Sequence, residues 1–193
     1  MVAGILLAAG AGRRYGMPKA LVTYDGRLLV EHGLVTLRDG GADPLVVVLG
    51  AQHDDVVARS DLAGATVVIN TAWDTGMGSS LRAGLGALSD SATAAEAADA
   101  AAILLVDTPG ITPAAVRRII ERGAPAALVA ATYAGELGHP VLLGRDHWPG
   151  VIEAATGDRG ARPYLRAHRD LVALVPCDDV ASGEDMDTPP EAG

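Results

Sequence analysis

Val2-Ala3-Gly4-Ile5-Leu6-Leu7-Ala8-Ala9-Gly10-Ala11-Gly12-Arg13-Arg14-Tyr15-Gly16-Met17-Pro18-Lys19 is the stretch that decides the fold. Val2 to Leu7 form an unbroken apolar run of strand length, the pattern of a parallel strand buried on both faces. Gly10, Gly12 and Gly16 follow. Glycine lets the backbone take positive φ and approach a ligand closely, so successive N–H groups can converge on phosphate oxygens. Lys19 closes the stretch and is the only lysine in the chain; every other cationic side chain is arginine. Lysine carries a compact charge on a flexible stem and arginine a rigid planar fork, so the exception points to a mobile ammonium beside a triphosphate. The spacing excludes two commoner phosphate loops. A dinucleotide fingerprint requires glycine where Tyr15 stands, and a P-loop requires Gly-Lys-Ser/Thr where the chain has Pro18-Lys19-Ala20.

Outward from this loop, apolar residues recur at helical intervals over 28–37, and Gly40-Gly41 ends that run. Pro44 to Gly50 is a second buried strand, with a helix through 54–58; Thr66 to Ile69 is a third, with a helix over 79–88. Residues 89–100 are an exposed connection or a frayed helix. Ala101 to Val106 is a fourth strand that ends at Asp107, after which Thr112 caps a helix opened by Pro113. Strands follow at 126–132, 139–143 and 171–175, the first two spaced so closely that one is antiparallel. Alternating buried strands and helices predict a three-layer, Rossmann-like α/β fold over residues 1–193: a mixed, mostly parallel sheet with helices on both faces. Ligands of such sheets bind beyond the carboxyl ends of the strands, so Gly10 and Asp107 are expected to open onto one crevice.

With 193 residues, about half of them apolar and no Phe, the core is expected to be built from Val, Leu, Ile and Ala. The one cysteine, Cys177, excludes an internal disulfide and reads as a small apolar filler. There is no targeting stretch or membrane-length apolar run, so the expected location is the cytoplasm, with no membrane partner. A net charge of −9 argues against nucleic acid as a partner. The first forty residues nonetheless carry a small basic excess, whereas everything from Asp178 onward lacks a basic residue. A phosphate-binding edge approached by carboxylates, or a solvated acidic tail, accounts equally well for that asymmetry.

Asp107 is the leading metal-ligand candidate, balanced against a simple turn role before Thr108-Pro109. Mg²⁺ takes one or two protein carboxylates and fills its other positions with water and phosphate. A second carboxylate is available in Asp187, which precedes Thr188-Pro189 as Asp107 precedes Thr108-Pro109. The segment Asn70 to Arg82 is polar and glycine-rich, as a binding loop would be; its Ser79 and Ser80 serve either as helix caps or as nucleotide contacts. His139 is an acceptor-side candidate or simply an exposed loop histidine. No zinc-ligand spacing and no nucleophile elbow is present.

The loop Leu7-Ala8-Ala9-Gly10-x-Gly12-x-Arg14-x-Gly16-x-x-Lys19 resembles the signature of nucleotidyltransferases of the nucleotide-diphospho-sugar transferase fold. More narrowly, the chain is similar to the molybdenum cofactor cytidylyltransferase and guanylyltransferase group. The resemblance extends through Trp73-x-x-Gly76-Met77-Gly78-Ser79-Ser80-Leu81, Gly138-His139-Pro140-Val141, Gly157-Asp158-x-Gly160-Ala161-Arg162 and Asp185-Met186-Asp187-Thr188-Pro189. It departs in having Val106 before Asp107 and Thr108 after it. The resemblance implies transfer of a nucleoside monophosphate from a triphosphate to a phosphate of molybdopterin or its molybdenum form, with release of pyrophosphate. It implies Arg14 and Lys19 on the triphosphate, the glycine loop as cradle, and Asp107 with Asp187 on Mg²⁺. Leu7, Ala8, Ala9, Gly10, Gly12, Ser79 and Ser80 would bind the nucleotide and His139 would lie toward the acceptor. Ala9, where the guanylyl branch has glycine, narrows the room for a purine and favours CTP over GTP. A molybdoenzyme is the implied client. The alternatives are the same chemistry with GTP or another phosphorylated acceptor, and a non-catalytic protein that binds nucleotide and carries the cofactor.

Overall fold

The computed structural model describes residues 1–90 and 98–186. The predicted first strand is β1 (Val2–Ala8), and all seven of its residues are buried. It pairs in parallel with β4 (Leu45–Leu49) on one side and β6 (Ala100–Leu105) on the other, with Ile5 opposite Val46 and Ile103. Strand β5 (Ala65–Ile69) extends the sheet beyond β4. Beyond β6, the strand β8 (Glu136–Gly144) runs antiparallel to both β6 and β7 (Leu128–Tyr133). Strand β9 (Val172–Pro176) finishes the edge in parallel with β7. The seven-stranded order is β5-β4-β1-β6-β8-β7-β9, so the sheet is mixed and mostly parallel, with β8 as its antiparallel member.

Alternation along β1 divides the core in two. Val2, Leu6 and Ala8 pack on the face covered by α1 (Leu29–Asp39), α2 (His53–Arg59) and α4 (Pro113–Ile120). Ala3, Ile5 and Leu7 pack on the opposite face beneath α3 (Met77–Asp90), α5 (Trp148–Ala154) and α6 (Arg162–Ala167). Both helices that cross β1 do so through glycine: a Cβ on Gly33 of α1 would sit 2.7 Å from Leu6 Cδ1, and one on Gly84 of α3 would sit 2.8 Å from Ile5 Cγ2. Cys177 is fully buried and unpaired, and burial pushes its thiol pKa up, as suits an apolar filler. Among the described residues no helix is long and apolar enough to cross a membrane.

The expected strands and the helices α1 to α4 all form, with ends displaced by up to three residues. Three features go beyond the sequence expectation. A hairpin of β2 (Thr23–Tyr24) and β3 (Arg27–Leu28) turns at Asp25-Gly26, whose φ values of 48° and 77° suit a primed turn. Helices α5 and α6 cover the second half of the sheet. Of the connection expected at 89–100, residues 91–97 lie outside the described residues.

Thr112 caps α4 as its sequence predicts, its Oγ1 accepting from Ala115 N–H at 3.3 Å while donating to the Val180 carbonyl at 2.9 Å. Thr112→Ala removes both bonds. It is expected to lower unfolding stability by about 1 kcal/mol, measured by urea denaturation, with no change in the folded spectrum.

Candidate active site

Strands β1 and β6 end side by side, and the segments that leave them face each other. Val106 N–H donates to the Leu7 carbonyl at 3.1 Å, which carries the parallel pairing one step past β6 and holds Asp107 at the sheet's edge. Thr108 Oγ1 donates to the Leu105 carbonyl at 2.9 Å and fixes the turn that follows. On the β1 side, the loop folds back on itself. Gly12 has φ of 57°, and a Cβ there would collide with the Met17 carbonyl and lie 3.0 Å from Lys19 N. Ala20 and Leu21, in a 3-10 turn with Lys19, are buried and anchor the lysine's backbone. Across the gap, Lys19 Nζ lies 2.9 Å from Asp107 Oδ2, and the two side chains keep only 17% and 25% of their exposure. The ammonium also stands 5.8 Å from the centre of the Tyr15 ring.

A cleft of about 430 Å³ opens around this pair. Of the nucleotide-side residues expected from sequence, Leu7, Ala9, Gly10, Gly12, Lys19, Ser80 and Asp107 line it. Ala8 is buried in β1, and Arg14 is exposed, outside the lining; its neighbour Arg13 is in the lining instead. Gly10 does not take positive φ, and a Cβ there would meet nothing, so in this structure only Gly12 and Gly16 of the three use the left-handed region.

Ser80 lines the cleft and Ser79 does not. Both are buried in the first turn of α3, where Asn70 Nδ2 donates to Ser79 Oγ at 2.7 Å and to Ser80 Oγ at 3.0 Å. Asn70 Oδ1 accepts from Ala72 N–H at 3.0 Å, so one buried amide ties β5, the loop after it and α3 together. The segment read from sequence as purely a binding loop is therefore partly packing. It also brings two separate motifs into contact: a Cβ on Gly76 would run into Gly157 and lie 2.7 Å from Asp158 Oδ1. Trp73, Asp74 and Asp158 line the cleft as well. Trp73 and Asp158 belong to two of the glycine-containing motifs visible in the sequence, in which nothing marks either side chain as a cleft residue.

The C-terminal segment crosses the same edge. Ser182 N–H donates to the Gly110 carbonyl at 3.1 Å and Met186 N–H to the Asp107 carbonyl at 2.7 Å. Asp187, the second expected metal ligand, lies outside the described residues. Asp107 itself suits a hard divalent cation: it is a carboxylate held rigidly at a strand end, pointing into a cleft and already facing a cationic group. Among the described residues there is no cluster of three or more metal-ligating side chains, so such an ion would draw further oxygens from a ligand.

A second cavity, of about 460 Å³, adjoins the first and shares Leu7, Met77 and Asp158 with it. His139 lines it from within β8 rather than from a loop. Tyr133 Oη donates to the His139 carbonyl at 2.8 Å. Burial, and then the positive charge of Arg162, lower the His139 pKa from its ordinary 6.5 to about 4, while Asp107 pulls weakly the other way. The imidazole is therefore neutral at physiological pH. Arg159, Arg162, Arg166 and Arg169 line the same cavity and were not singled out individually from sequence.

Because the folded protein resists protonating His139 until near pH 4 while the unfolded chain accepts a proton below about 6.5, stability falls as pH drops through that window. The melting temperature is expected to decline between pH 6.5 and 4.5, and His139→Gln to flatten that decline. An unchanged slope in the variant would exclude His139 as its origin.

The family model described as MobA-like NTP transferase domain matches residues 4–173. A protein named nicotine blue oxidoreductase, from Paenarthrobacter nicotinovorans, is 40% identical over 97% of this chain and 92% of its own length. A probable molybdenum cofactor guanylyltransferase from Opitutus terrae is 31% identical over 39% of this chain and 43% of its own. The crystal structure of Rv0371c from Mycobacterium tuberculosis H37Rv is 29% identical and superposes with a TM-score of 0.82 over 97% of this chain and 93% of that one. The same protein has been solved in complex with manganese, in a structure that is 28% identical with a TM-score of 0.75 over 91% of this chain and 87% of that one.

Proposed function

We propose, from the premise that the chain belongs to the MobA-like NTP transferase family, that it is a cytoplasmic enzyme that moves CMP from CTP to a phosphate of molybdopterin or its molybdenum form, releasing pyrophosphate. The observation that carries this reading is the Lys19–Asp107 pair, which sets a mobile cation and a rigid carboxylate 2.9 Å apart beneath the glycine loop. Nucleotidyl transfer asks a protein for positioning and charge neutralisation more than for a covalent catalyst. The loop N–H groups would cradle the triphosphate, with Arg13 and Arg14 adding charge from the loop. Lys19 would leave Asp107 and follow the phosphates as pyrophosphate departs. Asp107 and Asp187 would hold Mg²⁺, which would supply charge neutralisation for the departing pyrophosphate. The structure of Rv0371c in complex with manganese supports a divalent ion as the metal. Leu7, Ala9 and Ser80 line the cleft and would read the base there, where the Ala9 methyl would favour a pyrimidine. The acceptor would occupy the adjoining cavity beside neutral His139.

A second reading is redox chemistry on a nicotine blue-like substrate in that adjoining cavity. It is favoured by the 40% identity, across nearly the full length, to the protein named nicotine blue oxidoreductase. The spacing at Tyr15 excludes the dinucleotide fingerprint but not redox chemistry of another design.

Pyrophosphate release, followed with Mg²⁺, molybdopterin and each of the four ribonucleoside triphosphates in turn, tests the first reading. CTP is expected to be preferred. Lys19→Ala and Asp107→Ala are each expected to lower kcat by roughly 10²–10³-fold. No release with any nucleotide, combined with nicotine blue-dependent oxidation of reduced nicotinamide, would establish the second reading instead. Tight nucleotide binding with neither activity would favour the carrier role.

A further inference from the structure

The chain carries 24 acidic and 15 cationic side chains, yet four of the cations line a single cavity that also has an apolar lining. Leu81, Ile103 and Val141 belong to that apolar part. The guanidinium groups of Arg159, Arg162 and Arg166 make no hydrogen bond or ion pair with any described residue. Arg169 meets only Asp170, at 3.8 Å with both groups more than four-fifths exposed, a pairing worth little in water. Unpaired cations gathered at an apolar cavity, in a protein of net negative charge, are placed for an anionic ligand with an apolar body.

The order of the arginines supplies more. Asp158 belongs to both cavities, so Arg159 follows directly from the junction with the cleft. Arg162 is close enough to His139 to help hold the imidazole neutral, and His139 in turn feels Asp107, which puts this end beside the reacting centre. Arg166 lies one helical turn further along α6, about 6 Å of rise from Arg162. Arg169 comes next in the chain, before the cavity's last lining residues, Val172 and Leu174 in β9. A single phosphate at the junction would leave Arg166 and Arg169 without a counter-charge.

We propose that the acceptor is an apolar-bodied molecule bearing two anionic groups: the reacting phosphate at the Arg159 and Arg162 end, and a second carboxylate or phosphate bound by Arg166 and Arg169. In calling this ligand the acceptor, the proposal rests on the nucleotidyl-transfer chemistry above, with a phosphorylated acceptor other than molybdopterin, which has one phosphate and no carboxylate. The second anion sets specificity and orientation, because it fixes which end of the molecule points into the cleft.

Calorimetric titration of the nucleotide-free, full-length protein with 2-naphthyl phosphate and with 6-carboxy-2-naphthyl phosphate tests this directly. A naphthalene-2,6-diyl bisphosphate arm separates carboxylate from phosphate at the second position. The wild type is expected to bind at least one doubly anionic probe about tenfold or more tighter than 2-naphthyl phosphate, as charge-assisted hydrogen bonds would give. The R166A/R169A double variant, altered only at exposed positions, is expected to lose that preference and keep its affinity for 2-naphthyl phosphate within about twofold. R162A is expected to weaken all three probes. Equal affinity of the wild type for all probes, no binding of any of them, or a preference that survives in R166A/R169A would overturn the proposal. These are binding measurements without nucleotide, so failure of pyrophosphate release would count against the transfer reading and leave a doubly anionic site standing.

Discussion

Strand β1 is held in parallel register between β4 and β6, with both its faces under helices, and the site depends on that placement. A strand so enclosed can offer function only at its ends. Its carboxyl end delivers the glycine loop, and the neighbouring end of β6 delivers Asp107. The Leu7–Val106 hydrogen bond locks the two exits together, so the position of Lys19 relative to Asp107 is a property of the sheet. The close helix crossings at Gly33 and Gly84 serve the same end, because wider crossings would loosen the packing on Leu6 and Ile5 that keeps β1 rigid.

Charge is distributed with equal economy. The protein is acidic overall, yet its lone lysine sits at the cleft and four arginines line the adjoining cavity. The acidic C-terminal segment is drawn back across the same edge by backbone bonds from Ser182 and Met186. Cations and carboxylates thus converge from opposite ends of the chain, an arrangement suited to handling phosphates and poorly suited to a polyanionic surface partner.

Much of this was legible in the sequence, for identifiable reasons. Long apolar runs such as Val2–Leu7 and Leu45–Leu49 admit one interpretation, and Thr112-Pro113 announces a helix start unambiguously. The hairpin at Asp25-Gly26 escaped because two-residue strands have no periodicity to detect. Helices α5 and α6 are seven and six residues long, each with a proline in its first turn, so too few positions remain for a clear helical pattern. Lys19 and Asp107 could be named from their places after strands. The burial of Ser79 and Ser80 could not, since it follows from the Asn70 amide and is visible only once β5 and α3 are packed. Likewise, Arg159, Arg162, Arg166 and Arg169 look like an ordinary solvated helix face until β8 and β9 close a cavity against them.

The two tryptophans divide between the interior and the cleft. Trp148 is buried, its indole N–H donating to the Leu143 carbonyl at 2.8 Å, and it lines neither cavity. Trp73 lies in the cleft wall, packed over Gly50, and no other tryptophan lines either cavity. The molecule therefore carries its own optical gauge: one emitter that stays constant as an internal standard, and one whose surroundings change whenever the cleft fills.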